Sequence, residues 1–177
     1  EMPRSRSITS RPKFDMTVQS PEALAGDTLT RSRVLILNDV AVSESMATRL
    51  ATFVEGGGGL WLSLGSLASW PASRAAWLPV AMGNVVDRTR GAAAKLSAID
   101  YGHHIFEPFR APRSGDFASA RFYSYRALVA AKDATVLARF DTGEPALVER
   151  AQGRGRVIAF ASTLDLGWND LALKPVF

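Results

Sequence analysis

The clearest pattern in the sequence is a strand, a helix and a second strand in close succession. Apolar runs at residues 34–37 (VLIL) and 60–64 (LWLSL) have the length of buried strands. Between them, apolar positions in residues 43–54 recur at the spacing of one helix face, with Ser43 as the N-cap and the glycine run 56–59 as the stop. This order predicts a βαβ unit in which the two strands are parallel neighbours, crossed by the helix.

A different pattern governs the second half of the chain. Residues 135–140, 145–150 and 156–161 have strand composition and are separated by the turn sequences DTGE and AQGRG. Residues 117–128 alternate between apolar and polar side chains, as a half-buried strand does. We therefore expect a C-terminal β-meander after the βαβ unit.

The remaining segments add little secondary structure but set the domain limits. Residues 69–78 hold two tryptophans around a proline and predict an irregular helical excursion. Residues 1–13 are polar and aperiodic, which indicates a flexible lead-in. No linker or repeat divides residues 14–177, so the sequence predicts a single domain there.

The amino-acid composition excludes some kinds of site and disfavours others. The chain has no cysteine, which excludes disulfides, a thiolate nucleophile and thiolate metal ligands. The net charge is +4, but the arginines are scattered along the chain rather than gathered in a basic stripe. This dispersal favours a solvated basic surface over a nucleic-acid interface. Binding to nucleic acid or to anionic lipid, driven by the net charge, stays open as an alternative hypothesis. No apolar run is long enough to cross a bilayer.

Several stretches in order resemble the class I glutamine-amidotransferase-like domain of membrane-anchored bacterial proteins similar to the Bat aerotolerance family. They are VLILNDVAVSESMATRLATFVEGGGGLWLSLGS, HHIFEPF, ARFYSYRAL, ATVLARFDTGEPALVERAQGRGRVIAFAS and LDLGWNDLAL. The resemblance implies an α/β, flavodoxin-like three-layer sandwich with a largely parallel sheet, here followed by the β-meander. It also implies membrane attachment through segments outside this chain. The domain itself would lie on the extracytoplasmic side of a bacterial inner membrane.

The resemblance does not carry over the amidotransferase reaction. In true amidotransferases a cysteine follows the strand that corresponds to residues 60–64, whereas this chain has Leu64, Gly65 and Ser66 there. We therefore expect a non-catalytic binding or interaction domain. The alternative is a hydrolase that uses Ser66 as nucleophile and His104 as base, although no GxSxG elbow frames the serine.

Neither a cofactor nor a metal is predicted. The glycine run 56–59 lacks the lysine and the following helix of a phosphate-binding loop. His103, His104 and Glu107 lack the HExxH spacing, and adjacent histidines on a strand would point in different directions. The simpler interpretation is a loop whose neighbouring apolar residues plug the core.

Polar residues nevertheless gather after several predicted strands. Because the carboxyl ends of parallel strands meet at one edge, these residues predict a ligand crevice for a cationic or polyhydroxyl molecule. The candidate residues are Asp39, Gly65, Ser66, His104, Asp165, Trp168, Asn169 and Asp170. The partner expected is a small polar ligand or a protein, and not a nucleic acid. The competing interpretation is a polar loop in which Trp168 covers the sheet edge.

Overall fold

The computed structural model describes residues 15–24, 26–110 and 116–174. The flexible lead-in predicted for residues 1–13 lies outside them. Two α-helices are formed in the described part, α1 (Gly26–Arg31) and α2 (Glu44–Glu55). The strands are β1 (Val34–Asn38), β2 (Gly59–Ser63), β3 (Val80–Asp87), β4 (Leu96–Ile99), β5 (Ser124–Ala130), β6 (Thr135–Phe140), β7 (Pro145–Gln152) and β8 (Gly155–Phe160). Short 3-10 helices span Pro21–Ala23, Ala72–Trp77, His104–Phe109, Phe117–Ser119 and Leu171–Leu173.

The predicted βαβ unit is confirmed. Strands β1 and β2 pair in parallel, with Leu35 opposite Leu60 and Leu37 opposite Leu62. Helix α2 begins after Ser43, whose side-chain oxygen accepts a hydrogen bond from the Met46 N–H at 3.3 Å. Its buried face carries Met46, Ala47, Leu50, Ala51 and Val54. The local pattern of apolar residues and the capping serine therefore determine this part of the fold.

The main sheet is mixed and has six strands in the order β1-β2-β8-β7-β6-β4. Strand β8 pairs in parallel with β2 and antiparallel with β7, so it joins the βαβ unit to the meander. Strands β6, β7 and β8 form the two predicted hairpins. Strands β3 and β5 make a separate antiparallel pair.

A close contact between backbones lets β8 enter the sheet beside α2. A Cβ atom on Gly155 would collide with the carbonyl oxygens of Val54 and Gly58. Gly155 is buried at the start of β8, where the end of α2 passes directly over it. Glycine is required here because any side chain would push the helix and the strand apart.

The prediction of an α/β, flavodoxin-like three-layer sandwich was wrong. The described part is mostly β-structure, its main sheet is mixed, and its helices are few and short. Antiparallel strands are joined by hairpins, which need no crossover helix, so the meander half brings no helical layer with it. One side of β1 therefore stays exposed in the described structure. Leu35 and Leu37 on one side are buried, whereas Val34 and Ile36 on the other side are 61% and 55% exposed.

No helix in the described ranges has the length and apolarity needed to cross a membrane.

Candidate functional site

The structure brings the ends of β1 and β2 together, with Asn38 opposite Ser63. Asp39 follows β1 in the left-handed region, with a φ of 55°. Its carboxylate Oδ1 accepts hydrogen bonds from the N–H groups of Leu67 at 2.9 Å and Ala68 at 2.7 Å. A Cβ atom on Gly65 would collide with that carboxylate. Asp39 therefore folds the loop after β2, and Gly65 makes room for it.

The loop that follows β8 reaches the same edge of the sheet. The side-chain oxygen of Asn38 accepts a hydrogen bond from the Leu164 N–H at 2.8 Å, which holds the loop against the end of β1. Asp165 is exposed, and its Oδ1 accepts from the Gly167 N–H at 2.9 Å. Trp168 is half-buried, and its carbonyl accepts from the N–H groups of Tyr123 and Ser124.

The other two polar residues of this loop hold it in place. Asn169 is 2% exposed, and its amide nitrogen donates to Ser162 Oγ at 3.0 Å and to the Thr163 carbonyl at 2.7 Å. Asp170 accepts from the Arg121 N–H at 2.7 Å and pairs with Lys174 at 2.8 Å.

Two opposing effects act on the pKa of Asp170. Burial raises it, but the bonds to Lys174 and Arg121 outweigh burial and hold the pKa below its ordinary value. Asp170 therefore stays charged and keeps its structural contacts, and its oxygens are engaged within the protein.

Arg126, which was not among the predicted site residues, binds the loop that follows β2 at this edge of the sheet. The Arg126 guanidinium on β5 donates to the Gly65 carbonyl at 2.7 and 3.1 Å and to the Ser66 carbonyl at 3.3 Å. Within the described ranges, no hydrogen bond joins the Ser66 hydroxyl to a histidine. Nothing in this geometry favours the hydrolase alternative.

His104 lies in a different cluster. Its ring lies against that of His103 at a tilt of 43°, with 4.2 Å between the centroids. His103 Nε2 lies 2.9 Å from Glu149 Oε2, and the other oxygen of Glu149 lies 3.2 Å from Arg156 Nη1. Glu149 is on β7 and is only 4% exposed. Glu149 was not among the residues predicted for a site, although a glutamate inside the apolar run ALVER is a signal that could have pointed to it.

The two histidines lie at the start of a 3-10 helix and not on a strand. His103 caps the 3-10 helix His104–Phe109, and this tight turn lets both rings face the same carboxylate. One nitrogen of each ring and one Glu149 oxygen lie within 4.8 Å of one another. Glu107, the carboxylate that follows the histidines in the sequence, is exposed and is not part of this group.

A further feature is the sheet surface opposite α2. In parallel pairing, Ile36 lies beside Trp61 and Trp61 beside Ile158, so these side chains and Val34 share one side of β1, β2 and β8. Val34 and Ile36 are exposed, while Trp61 and Ile158 are half-buried. We call this surface the open face. Its central row, Ile36, Trp61 and Ile158, is apolar across three adjacent parallel strands, and Arg156 lies on the same side of β8.

Comparison with known proteins gives structural similarities only. No protein-family model matches the chain, and no curated protein matches it. Cytoplasmic protein STM1381 from Salmonella typhimurium LT2 is 25% identical with a TM-score of 0.57, and the match covers 77% of this chain and 62% of that one. Cytoplasmic protein STM3548 from Salmonella typhimurium is 20% identical with a TM-score of 0.58, covering 80% and 65%. A β-galactosidase from Bacillus circulans sp. alkalophilus is 19% identical with a TM-score of 0.53, covering 75% and 20%.

These similarities define a class by fold: a β-rich domain with a mixed sheet that also occurs inside longer chains. The chain spans less than two thirds of the length of either Salmonella protein. Both Salmonella proteins are described as cytoplasmic. The mixed, β-rich sheet contradicts the flavodoxin-like description expected from the sequence. Membrane attachment through segments outside this chain stays a prediction. The resemblance to glutamine-amidotransferase-like domains stays a prediction.

Proposed function

We propose that this domain is a non-catalytic interaction module that binds a protein partner through the open face. The observation that carries the proposal is the exposure of Val34 and Ile36, 61% and 55%, on strands that pair in parallel. Parallel strands are normally covered on both faces, because their side chains are apolar on both. Here α2 covers one face of β1 and β2, and the other is left to an external partner.

The occupant we propose is an amphipathic α-helix from another polypeptide segment. A helix is the element that covers parallel strands in α/β proteins, and α2 already does so on the opposite face with a stripe of small and aliphatic residues. The fold also makes up only part of longer chains, such as the β-galactosidase of which it covers 20%. Further polypeptide is therefore available to such a domain in at least some of the proteins that share its fold.

The test is site-specific photo-crosslinking of the full-length protein in its native host, with p-benzoylphenylalanine in place of Ile36. The matched control places the same group at Val129 on β5, which is 70% exposed but lies outside the open face. We expect a protein adduct from position 36 and not from position 129. The crosslinked peptide should have the apolar periodicity of an amphipathic helix.

The recovered segment is then synthesised and titrated against the purified domain. Ile36→Lys should weaken its binding by about thirtyfold, which is the loss expected for an interface hot spot. Equal crosslinking at both positions, an adduct with lipid or nucleic acid, or unchanged affinity after Ile36→Lys would each refute the proposal. An extended segment paired with the free edge of β1 would also refute it, because that is strand addition and not helix docking.

A further inference from the structure

We propose that His103, His104 and Glu149 bind a divalent transition-metal ion of the zinc type, with solvent at the open coordination position. This metal site is independent of the proposed protein interaction, although it lies on the same side of the sheet. Glu149 pairs laterally with Ile158, which belongs to the open face. Two imidazoles and one carboxylate are a ligand set that zinc uses in sites with an exchangeable fourth ligand.

The distances suit one ion. His103 Nε2 and Glu149 Oε2 are 2.9 Å apart, and the three ligand atoms lie within 4.8 Å of one another. Two ligand atoms at tetrahedral positions around zinc are about 3.3 Å apart, since each bond is about 2.0–2.1 Å long. Small side-chain movements would therefore place an ion between the carboxylate and the two rings.

The electrostatics also favour a cation at this point. Glu149 is 4% exposed, and its Oε1 has no hydrogen bond that compensates its burial. The ion pair with Arg156 is formed by an arginine whose side chain is 54% exposed to water. Glu149 Oε2 lies against the His103 ring, so the carboxylate has one exposed arginine and one imidazole as partners. A dication between Oε2 and that ring would compensate the burial of the carboxylate more strongly.

The histidine rings are placed to complete the site. The side chain of His103 is 16% exposed, and its Nδ1 is buried without a hydrogen-bond partner. The ring is therefore held through Nε2, by its contact with Glu149. His104 is exposed, which leaves an entry path from solvent for the ion. Arg156 contacts Oε1 and leaves Oε2 available to the metal.

The test is a titration of the purified protein, freed of metal by a chelator, with ZnCl₂ by isothermal titration calorimetry. We expect one saturable site and a Tm that rises with zinc, because binding to the folded state stabilises it. His104→Ala should lower the affinity by about tenfold or more. That variant removes an exposed side chain, so its folding should be unaffected. Glu149→Gln keeps the shape of the side chain, removes its charge and should lower the affinity in the same way.

Two control variants separate a built site from surface binding. Glu107→Gln removes an exposed carboxylate from the same 3-10 helix and should leave zinc affinity unchanged. Arg156→Gln removes the competing positive charge and should raise it. Absence of saturable binding at about 1 mM zinc, or equal affinities for the wild type and His104→Ala, would overturn the metal site. Neither result bears on the crosslinking at position 36, so the two proposals fail separately.

Discussion

At the scale of single residues, the arginines have a role that their scattered positions concealed. In the described ranges, seven of them donate to backbone carbonyls rather than standing free in solvent, and several of these contacts join segments far apart in the chain. Arg126 binds the carbonyl of Gly65, Arg150 those of Ala76 and Leu78, and Arg49 that of Leu24. Loop carbonyls lack the partners that helices and sheets supply, and the planar guanidinium can satisfy several of them together.

Gly65 and Ser66 provide a residue-scale prediction. Gly65→Ala should destabilise the protein by about 1–3 kcal/mol, because the new methyl group displaces the Asp39 carboxylate from its two N–H donors. Urea unfolding measures the change. Ser66→Ala, one position along, should stay within about 0.5 kcal/mol because Ser66 is exposed.

Ser66→Ala also addresses the hydrolase alternative. We expect that a serine-reactive phosphonate will not label the wild-type protein, since Ser66 lacks a histidine partner in the described part of the chain. Stoichiometric labelling that disappears in Ser66→Ala would show that the serine is activated.

At the scale of elements, the 3-10 helix Ala72–Trp77 depends on β7 for its position. Arg150 and Gln152 donate to the carbonyls of Ala76, Leu78 and Trp77 at 2.6–3.1 Å. Trp70 and Trp77 stack in parallel with 5.7 Å between their centroids. A short 3-10 helix has little stability of its own, so these contacts hold it on the sheet.

Arg150 and Asp133 test this dependence. Arg150→Ala should cost about 2–3 kcal/mol, since it leaves carbonyls near the core without donors, and it should reduce the near-UV circular dichroism of the tryptophan stack. Asp133→Ala removes only the ion pair, in which the aspartate side chain is 64% exposed, and should cost less than about 1 kcal/mol. Similar losses for the two variants would show that the ion pair, and not the carbonyl contacts, holds the element.

At the scale of the whole molecule, the two faces of the main sheet differ. The face that carries Leu35, Leu37, Leu60 and Leu62 belongs to the core, which is continuous with the buried face of α2. On the other face, aromatic contacts link Phe160 to Phe122 and Phe122 to Phe140, which continues the core toward the meander. The open face is the part of this second face that the aromatic contacts leave uncovered, near the β1 edge of the sheet.

Adjacent positions on β1 give a prediction at this scale. Leu37→Ala should destabilise the protein by about 2–5 kcal/mol, because it leaves a cavity in the core. Ile36→Lys should change stability by less than about 0.5 kcal/mol, since that side chain is 55% exposed. Urea unfolding of both variants measures the difference. A large loss for Ile36→Lys would mean that residues of this same chain cover the open face.

The residue sequence by itself determined the parts of this fold that local patterns encode. The spacing of apolar residues and the Ser43 cap predict α2, the apolar runs predict β1 and β2, and the turn sequences predict the two hairpins. Each of these depends on residues close together in the chain. Their energetics can therefore be judged without knowing the rest of the fold.

Only the tertiary structure decided what distant segments do together. It placed β8 between β2 and β7 and brought Glu149 to His103. Among the residues that the structure describes, it also left the open face without a covering helix. The apolar runs of β1 and β2 indicated a sheet covered on both sides, but no local pattern shows whether a covering segment exists. The pairing of distant strands and the contacts between distant side chains depend on the packing of the whole chain. A sequence pattern carries information only about residues that are close together in the chain.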